Sequence, residues 1–255
     1  MLYLFRRKAK NPDSSPAHAS GRGITGTAKQ NYEKFQIRQS FFRKSIFRGK
    51  DGTIFRVSHN NESKAIRMYE QNILLSESLE PCLSVFEVAL RNAIIIQLER
   101  MARSKRWYIC FRSNAVLRRL NDYVDVAITH IQNRGEQVTE DKINGELTLG
   151  FWVSLFNAEY ERILWKYLRL VFPNMPKGIR KRKNVSSPLN AIRILRNRVY
   201  HNESIGWDLN RLSELHNSIN EVMRWMNIAL PEWLKRIDRF KMVEYSVRLE
   251  RKRPF

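Results

Sequence analysis

The spacing of residues between positions 82 and 102 is the strongest constraint that this sequence places on its fold. Mostly apolar side chains recur there at intervals of three and four, a period near 3.6 that predicts an amphipathic helix with one buried face. The residues at these positions are Leu83, Phe86, Leu90, Ala93, Ile94, Gln97, Leu98 and Met101. No convincing alternation typical of strands occurs elsewhere, so the pattern favours an all-helical protein.

Further helices are predicted on both sides of this stretch. Residues 65–79 are amphipathic and lie just before Pro81, which predicts a break or kink because proline lacks a backbone N–H. Ser187 is a plausible N-cap with Pro188 at the first helical position, where the missing N–H costs little. Near the C-terminus, residues 208–229 and 231–247 also show helical spacing.

The aromatic residues between positions 147 and 172 recur at helical spacing, which favours core packing over a base-stacking platform. Together these segments predict one all-α domain of seven or eight helices over residues 61–255. Residues 1–60 differ, with 13 Lys+Arg against 3 Asp+Glu and a stretch rich in Pro, Ser, Gly and Ala. That composition predicts a flexible basic arm that is largely disordered or only loosely packed.

The charge balance points to a polyanionic partner. The chain has 46 Lys+Arg against 25 Asp+Glu, a formal net charge of +21. Nucleic acid is the commonest partner for such a balance, with an anionic membrane surface next. No apolar run of about 18 residues predicts a membrane span, and the N-terminus has the wrong order for a secretory signal. The spacing of the two cysteines matches neither a zinc site nor a redox motif. We therefore expect reduced thiols in a cytoplasmic protein.

One short stretch carries the candidate chemistry, with Arg196 and His201 five positions apart. On a helix over residues 188–202, at 100° per residue, Arg196 falls within the core-facing stripe. An unpaired guanidinium there would be costly, so a partner is expected. His201 lies about 140° from Arg196, and Asn197 lies one turn before His201. Two copies of the helix, or a helix that loosens at His201, would bring both groups to one point.

Such a pair suits cleavage of RNA by its own 2′-hydroxyl. A base removes the 2′-OH proton, the oxygen attacks the adjacent phosphorus, and an acid protonates the leaving 5′ oxygen. His201 suits either proton role, since histidine titrates near physiological pH. Arg196 suits the phosphoryl oxygens, and Asn197 could orient the imidazole or bind the phosphate. This chemistry needs no metal, and we expect no cofactor.

A run of five cations precedes the motif. It consists of Lys177, Arg180, Lys181, Arg182 and Lys183. A run of this kind is usually a solvated loop, but its position makes contact with an RNA backbone plausible. Phosphate neutralisation would then make binding fall steeply with salt.

Three alternatives to a ribonuclease stay open. The motif itself could be structural, with Arg196 in a salt bridge and His201 at a helix end. The chain could be an effector that holds a small structured RNA without cutting it. It could also be one half of a toxin–antitoxin pair, its charge serving an acidic partner.

Residues 196–203 resemble the extended Arg-x4-His motif of HEPN domains, in the Abi-like branch associated with bacterial abortive infection. Three other stretches, at 69–81, 86–93 and 147–156, also resemble this branch and occur in the order found in the family. The resemblance covers about residues 63–230. One departure is Asn202, where a second His is frequent.

The resemblance implies a helical, metal-independent RNase in phage defence, often a homodimer whose two motifs meet at the interface. Tyr200 and Glu203 belong to the extended motif and count as supporting residues. We further expect Glu87 to neutralise Arg196 across a helix interface. Arg91 and Asn92, one turn later, would help to line the site.

Overall fold

The computed structural model describes residues 62–252 and two short stretches at 47–48 and 54–55. The short stretches are strands β1 (Phe47–Arg48) and β2 (Ile54–Phe55), paired antiparallel with Phe47 opposite Phe55. The predicted flexible arm over residues 1–60 otherwise lies outside the described residues. Residues 62–252 are all-helical, as the sequence predicted.

This region holds ten α-helices and two short 3₁₀-helices, more than the seven or eight predicted. The α-helices are α1 (Glu62–Ala102), α2 (Ile109–Arg112), α3 (Arg118–Asn133), α4 (Glu140–Glu146), α5 (Leu149–Ser154), α6 (Glu161–Leu168), α7 (Arg182–Tyr200), α8 (Leu209–Met226), α9 (Ala229–Leu234) and α10 (Phe240–Lys252). The 3₁₀-helices are Ala158–Tyr160 and Arg169–Val171. The number was underestimated because extended backbone at Thr148 and Asn157 divides the aromatic segment into short helices.

Helix α1 is the central helix of the domain. It is 41 residues long and packs against α5, α6, α7, α8, α9 and α10. The sequence predicted a break or kink at Pro81, and the break is wrong, because the helix runs through that residue. Fully buried Leu79 and Phe86 lie on either side of the proline, together with Leu83. Burial of this continuous face outweighs the hydrogen bond that proline cannot make.

The start of α7 also differs from the prediction. The helix begins at Arg182, six residues before Pro188, so the proline lies inside it and Ser187 is not its N-cap. Val185, in the additional first turn, is fully buried and anchors that turn to the core. The end of the basic run is therefore helical. The aromatic segment supplies core residues as predicted, including Phe151, Trp152 and Phe156.

Candidate active site

Arg196 lies near the C-terminal end of α7 and forms a two-point ion pair with Glu87 of α1. Its Nε donates to Glu87 Oε2 at 3.0 Å, and its Nη2 donates to Glu87 Oε1 at 3.4 Å. The two side chains are only 26% and 20% exposed. The expected contact across the helix interface is therefore present, and it resolves the cost of a cation on the core-facing stripe.

Tyr200, one helical turn after Arg196, also contacts the guanidinium. The centre of the guanidinium lies 4.2 Å from the centroid of the tyrosine ring, a cation–π contact. The tyrosine hydroxyl is 3.2 Å from Ser84 Oγ on α1. Arg196 thus rests between a carboxylate and an aromatic ring. Its Nη1 makes no hydrogen bond to any residue that the structure describes, which leaves that edge open to a ligand oxygen.

The helix ends immediately after Tyr200 in a Schellman motif. The Glu203 N–H donates to the Arg198 carbonyl at 2.8 Å, and the Asn202 N–H donates to the Val199 carbonyl at 3.1 Å. Asn202 has a φ of 52°, in the left-handed region that asparagine tolerates better than most residues. This geometry gives a structural reason for asparagine at the position where the resembled motif frequently has histidine.

His201 occupies the C-cap position and is exposed. Its backbone N–H donates to the Asn197 carbonyl at 2.9 Å, which fixes its Cα one turn above that residue. Within residues 62–252 its ring has no hydrogen-bond partner, so the imidazole is available to a ligand. Asn197 is half-buried, and its side chain likewise makes no hydrogen bond to this part of the chain.

Asn72 of α1, which the sequence did not single out, fixes the segment after the motif. Its Oδ1 accepts from the Ile205 N–H at 2.8 Å and the Gly206 N–H at 3.3 Å, and its Nδ2 donates to the Glu203 carbonyl at 3.3 Å. Asn72 is only 4% exposed. Helical spacing gave no signal for it, because the apolar residues that follow it, Ile73 and Leu74, are exposed.

The remaining supporting residues are less closely tied to the site. Arg91 is half-buried and Asn92 is exposed, both about one turn beyond Glu87 on α1. Neither side chain has a hydrogen-bond partner among the residues described. Glu203 Oε2 lies 4.0 Å from Arg198 Nε, a weak surface pair. The structure therefore brings together Glu87, Arg196 and Tyr200, with His201 at the adjacent helix end.

The basic run divides into two functional groups. Arg180 donates from Nε to the Met175 carbonyl at 3.0 Å and from Nη2 to the Pro173 carbonyl at 2.6 Å. Arg182 is bound to Glu161 at 2.8 Å and to the Phe156 carbonyl at 3.0 Å. These two arginines hold the chain in place. The other three cations are exposed and face solvent: Lys177, Lys181 and Lys183.

A second histidine, His216, is buried and pairs with Asp238, outside the candidate active site. His216 Nε2 lies 2.7 Å from Asp238 Oδ2, and the imidazole stacks on Phe240 with centroids 4.5 Å apart. Partial burial would raise the pKa of Asp238, but hydrogen bonds from His216 and from the Phe240 N–H outweigh it and lower that pKa. This pair connects α8 to the start of α10.

Across residues 62–252, no three His, Cys, Asp or Glu side chains are grouped so that they could hold a metal ion. No helix in this part of the chain combines the length and apolar content that crossing a membrane needs. Comparison with protein-family models, with curated proteins and with solved structures finds no match to this chain.

Proposed function

We propose that this chain is a metal-independent endoribonuclease of the Abi-like HEPN kind, acting in the cytoplasm in abortive infection. The observation that carries the proposal is the setting of Arg196. Glu87 and Tyr200 fix its guanidinium, one N–H edge stays open, and an exposed histidine follows at the helix end. The resemblance of residues 196–203 to the Arg-x4-His motif supplies the reaction class.

In this mechanism Arg196 binds the non-bridging oxygens of the scissile phosphate through Nη1, where negative charge develops during attack. Glu87 acts as a positioning residue because it restrains the guanidinium without reaching the phosphate. The 2′ oxygen bonds to phosphorus and the bond from phosphorus to the 5′ oxygen breaks. One proton passes to a base and another reaches the leaving oxygen. His201 can perform either transfer.

The reaction needs two proton carriers, and one motif supplies one exposed imidazole. A homodimer with the motifs facing each other would supply the second. Large apolar side chains on the same two helices are exposed: Val88, which follows Glu87 in sequence, by 46%, and Ile194, two residues before Arg196, by 49%. Residues one or two positions apart on a helix point in different directions, so a two-fold interface would have to extend beyond the faces of Glu87 and Arg196 to bury both.

RNA bound at this site would also contact the exposed lysines at and just before the start of α7, at the opposite end of that helix from Arg196. Replacing Lys177, Lys181 and Lys183 with Gln should weaken RNA binding and flatten its salt dependence, by a slope of about 0.7 for each phosphate that is no longer neutralised. Arg180 and Arg182 hold the chain instead, so their replacement should lower stability. Binding would be measured by fluorescence anisotropy between 50 and 300 mM salt, roughly the range over which such binding weakens.

The proposal is tested by incubating purified protein with cellular RNA in EDTA. The wild type should cleave, while Arg196→Ala and His201→Ala should lose about a hundredfold or more of the rate. Arg211→Ala and His130→Ala are matched controls, because both residues are exposed and lie outside the site. Equal rates in all five proteins, or equal loss in the controls, would contradict the assignment.

A second candidate function is an RNA-binding effector that does not cut. The ion pair favours this function, because Glu87 already accepts hydrogen bonds from two nitrogens of Arg196 and offsets its charge. Such a protein would retain RNA at moderate salt and leave it intact. A toxin–antitoxin partnership would instead require an acidic protein partner that co-purifies with the chain.

A further inference from the structure

A cleft lies at the helix end that carries the candidate catalytic histidine. It has a volume of about 270 Å³ and opens between α1 and the C-terminal end of α7. Tyr200 and Asn202, the two chain neighbours of His201, both line it, whereas His201 itself does not. A group bound in the cleft would therefore lie at the helix end that carries His201. Tyr200 also connects the cleft to Arg196, whose guanidinium lies over its ring.

The wall that α1 contributes is rich in hydrogen-bond acceptors. Ser76 Oγ is buried and has no hydrogen-bond partner within residues 62–252, which is unusual for a buried hydroxyl. Glu80 is exposed, and its carboxylate forms no ion pair with any described residue. Glu77, one turn away, shares its carboxylate with Arg239 at 3.2 Å. Ionised carboxylates accept hydrogen bonds only, so this wall favours a ligand that donates.

The cleft also offers apolar surface for a flat ring. Tyr200 is 43% exposed and Ile73, which lines the α1 side, is 47% exposed. Single-stranded RNA is recognised by stacking its splayed bases on aromatic side chains and by hydrogen bonds to their Watson–Crick edges. A combination of one aromatic ring, one aliphatic side chain and a row of acceptors meets both requirements.

We propose that this cleft is a base-specificity pocket that selects guanine next to the cleaved phosphate. The inference rests on the proposed ribonuclease function. Guanine presents two adjacent donors, N1–H and N2–H, which match the two oxygens of a carboxylate such as Glu80. Adenine and cytosine each present one amino group. Uracil places its single N3–H between two carbonyl oxygens, which a carboxylate repels.

The test uses four non-cleavable dinucleotides, GpG, ApA, CpC and UpU, each with a 2′-O-methyl ribose that blocks the nucleophile. Each carries the same base on both sides of the phosphate, so the result does not depend on which side the cleft reads. Titration calorimetry on the full chain should show GpG binding at least about tenfold more tightly than UpU. Glu80→Gln should remove that preference. Glu221→Gln, which replaces an exposed acid on α8, should leave it unchanged.

The outcomes separate the two proposals. Preferential GpG binding that Glu80→Gln abolishes, together with cleavage of cellular RNA next to guanosines, supports both. The same binding without any RNA cleavage supports the pocket and overturns the nuclease. RNA cleavage with equal affinity for all four dinucleotides overturns the pocket and leaves the nuclease standing. A GpG preference that Glu80→Gln leaves unchanged also overturns the assignment to this cleft.

Discussion

The ion pair between Glu87 and Arg196 should contribute measurably to stability. A fully exposed pair contributes about 0–1 kcal/mol, and breaking a fully buried pair costs about 3–5 kcal/mol. With exposures of 26% and 20% and two hydrogen bonds, this pair lies between those limits. Glu87→Gln, which keeps the side-chain shape, should therefore lower the free energy of unfolding by about 2 kcal/mol. For a domain of this size that corresponds to a fall in Tm of about 4–8 °C.

The pairwise part is isolated by a double-mutant cycle with Arg196→Met, using urea unfolding followed by circular dichroism. The reasoning predicts a coupling energy of about 1–2 kcal/mol between the two positions. It also predicts that Glu87→Gln slows RNA cleavage about tenfold, because the guanidinium loses its restraint. Coupling below about 0.3 kcal/mol, with cleavage unchanged, would refute both the energetic estimate and the positioning role.

Three further predictions concern the surroundings of the site. Asn202→Gly should leave thermal stability nearly unchanged, whereas Asn202→Val should lower it by about 1–2 kcal/mol, because a β-branched residue resists the left-handed conformation. Asn72→Ala should cost about 2–4 kcal/mol in urea unfolding and reduce cleavage, since it frees the segment after the motif. The pKa of Asp238 is lower in the folded state than in the unfolded state. The stabilisation that Asp238 contributes is therefore present above the unfolded-state pKa and is lost as the pH falls through the folded-state pKa. Stability should therefore fall below about pH 4, and Asp238→Asn should flatten that part of the profile.

The fold class could be predicted because periodicity is a local property of the sequence. The spacing over residues 82–102 indicated the buried face of that part of α1 correctly, but the apolar residues Ile66, Ile73 and Leu74 of its first part are exposed, and the break at Pro81 did not occur. Proline inside a helix costs about 3 kcal/mol, and fully buried Leu79 and Phe86 on either side contribute more than that together. The sequence shows the local cost of a proline, whereas the compensating burial depends on helices far away in the chain.

The candidate site could be predicted only in part, for a similar reason. A cation on a core-facing stripe requires an anionic partner, so the contact of Arg196 with Glu87 could be inferred before the structure was known. Asn72 could not be inferred in the same way, because it bonds to backbone groups more than 130 positions away. The division of the basic run into bound arginines and solvent-facing lysines likewise depends on which carbonyl oxygens lie near each guanidinium.

The most direct test of the central claim is whether the RNA's own 2′-hydroxyl is the nucleophile. A short RNA that the protein cleaves at one position would be compared with the same RNA carrying a single 2′-O-methyl group at that ribose, both in EDTA. The account predicts a 2′,3′-cyclic phosphate on the fragment of the first RNA and no cleavage at the methylated position of the second. Cleavage that persists at the methylated ribose, or that leaves a 5′-phosphate, would contradict the account.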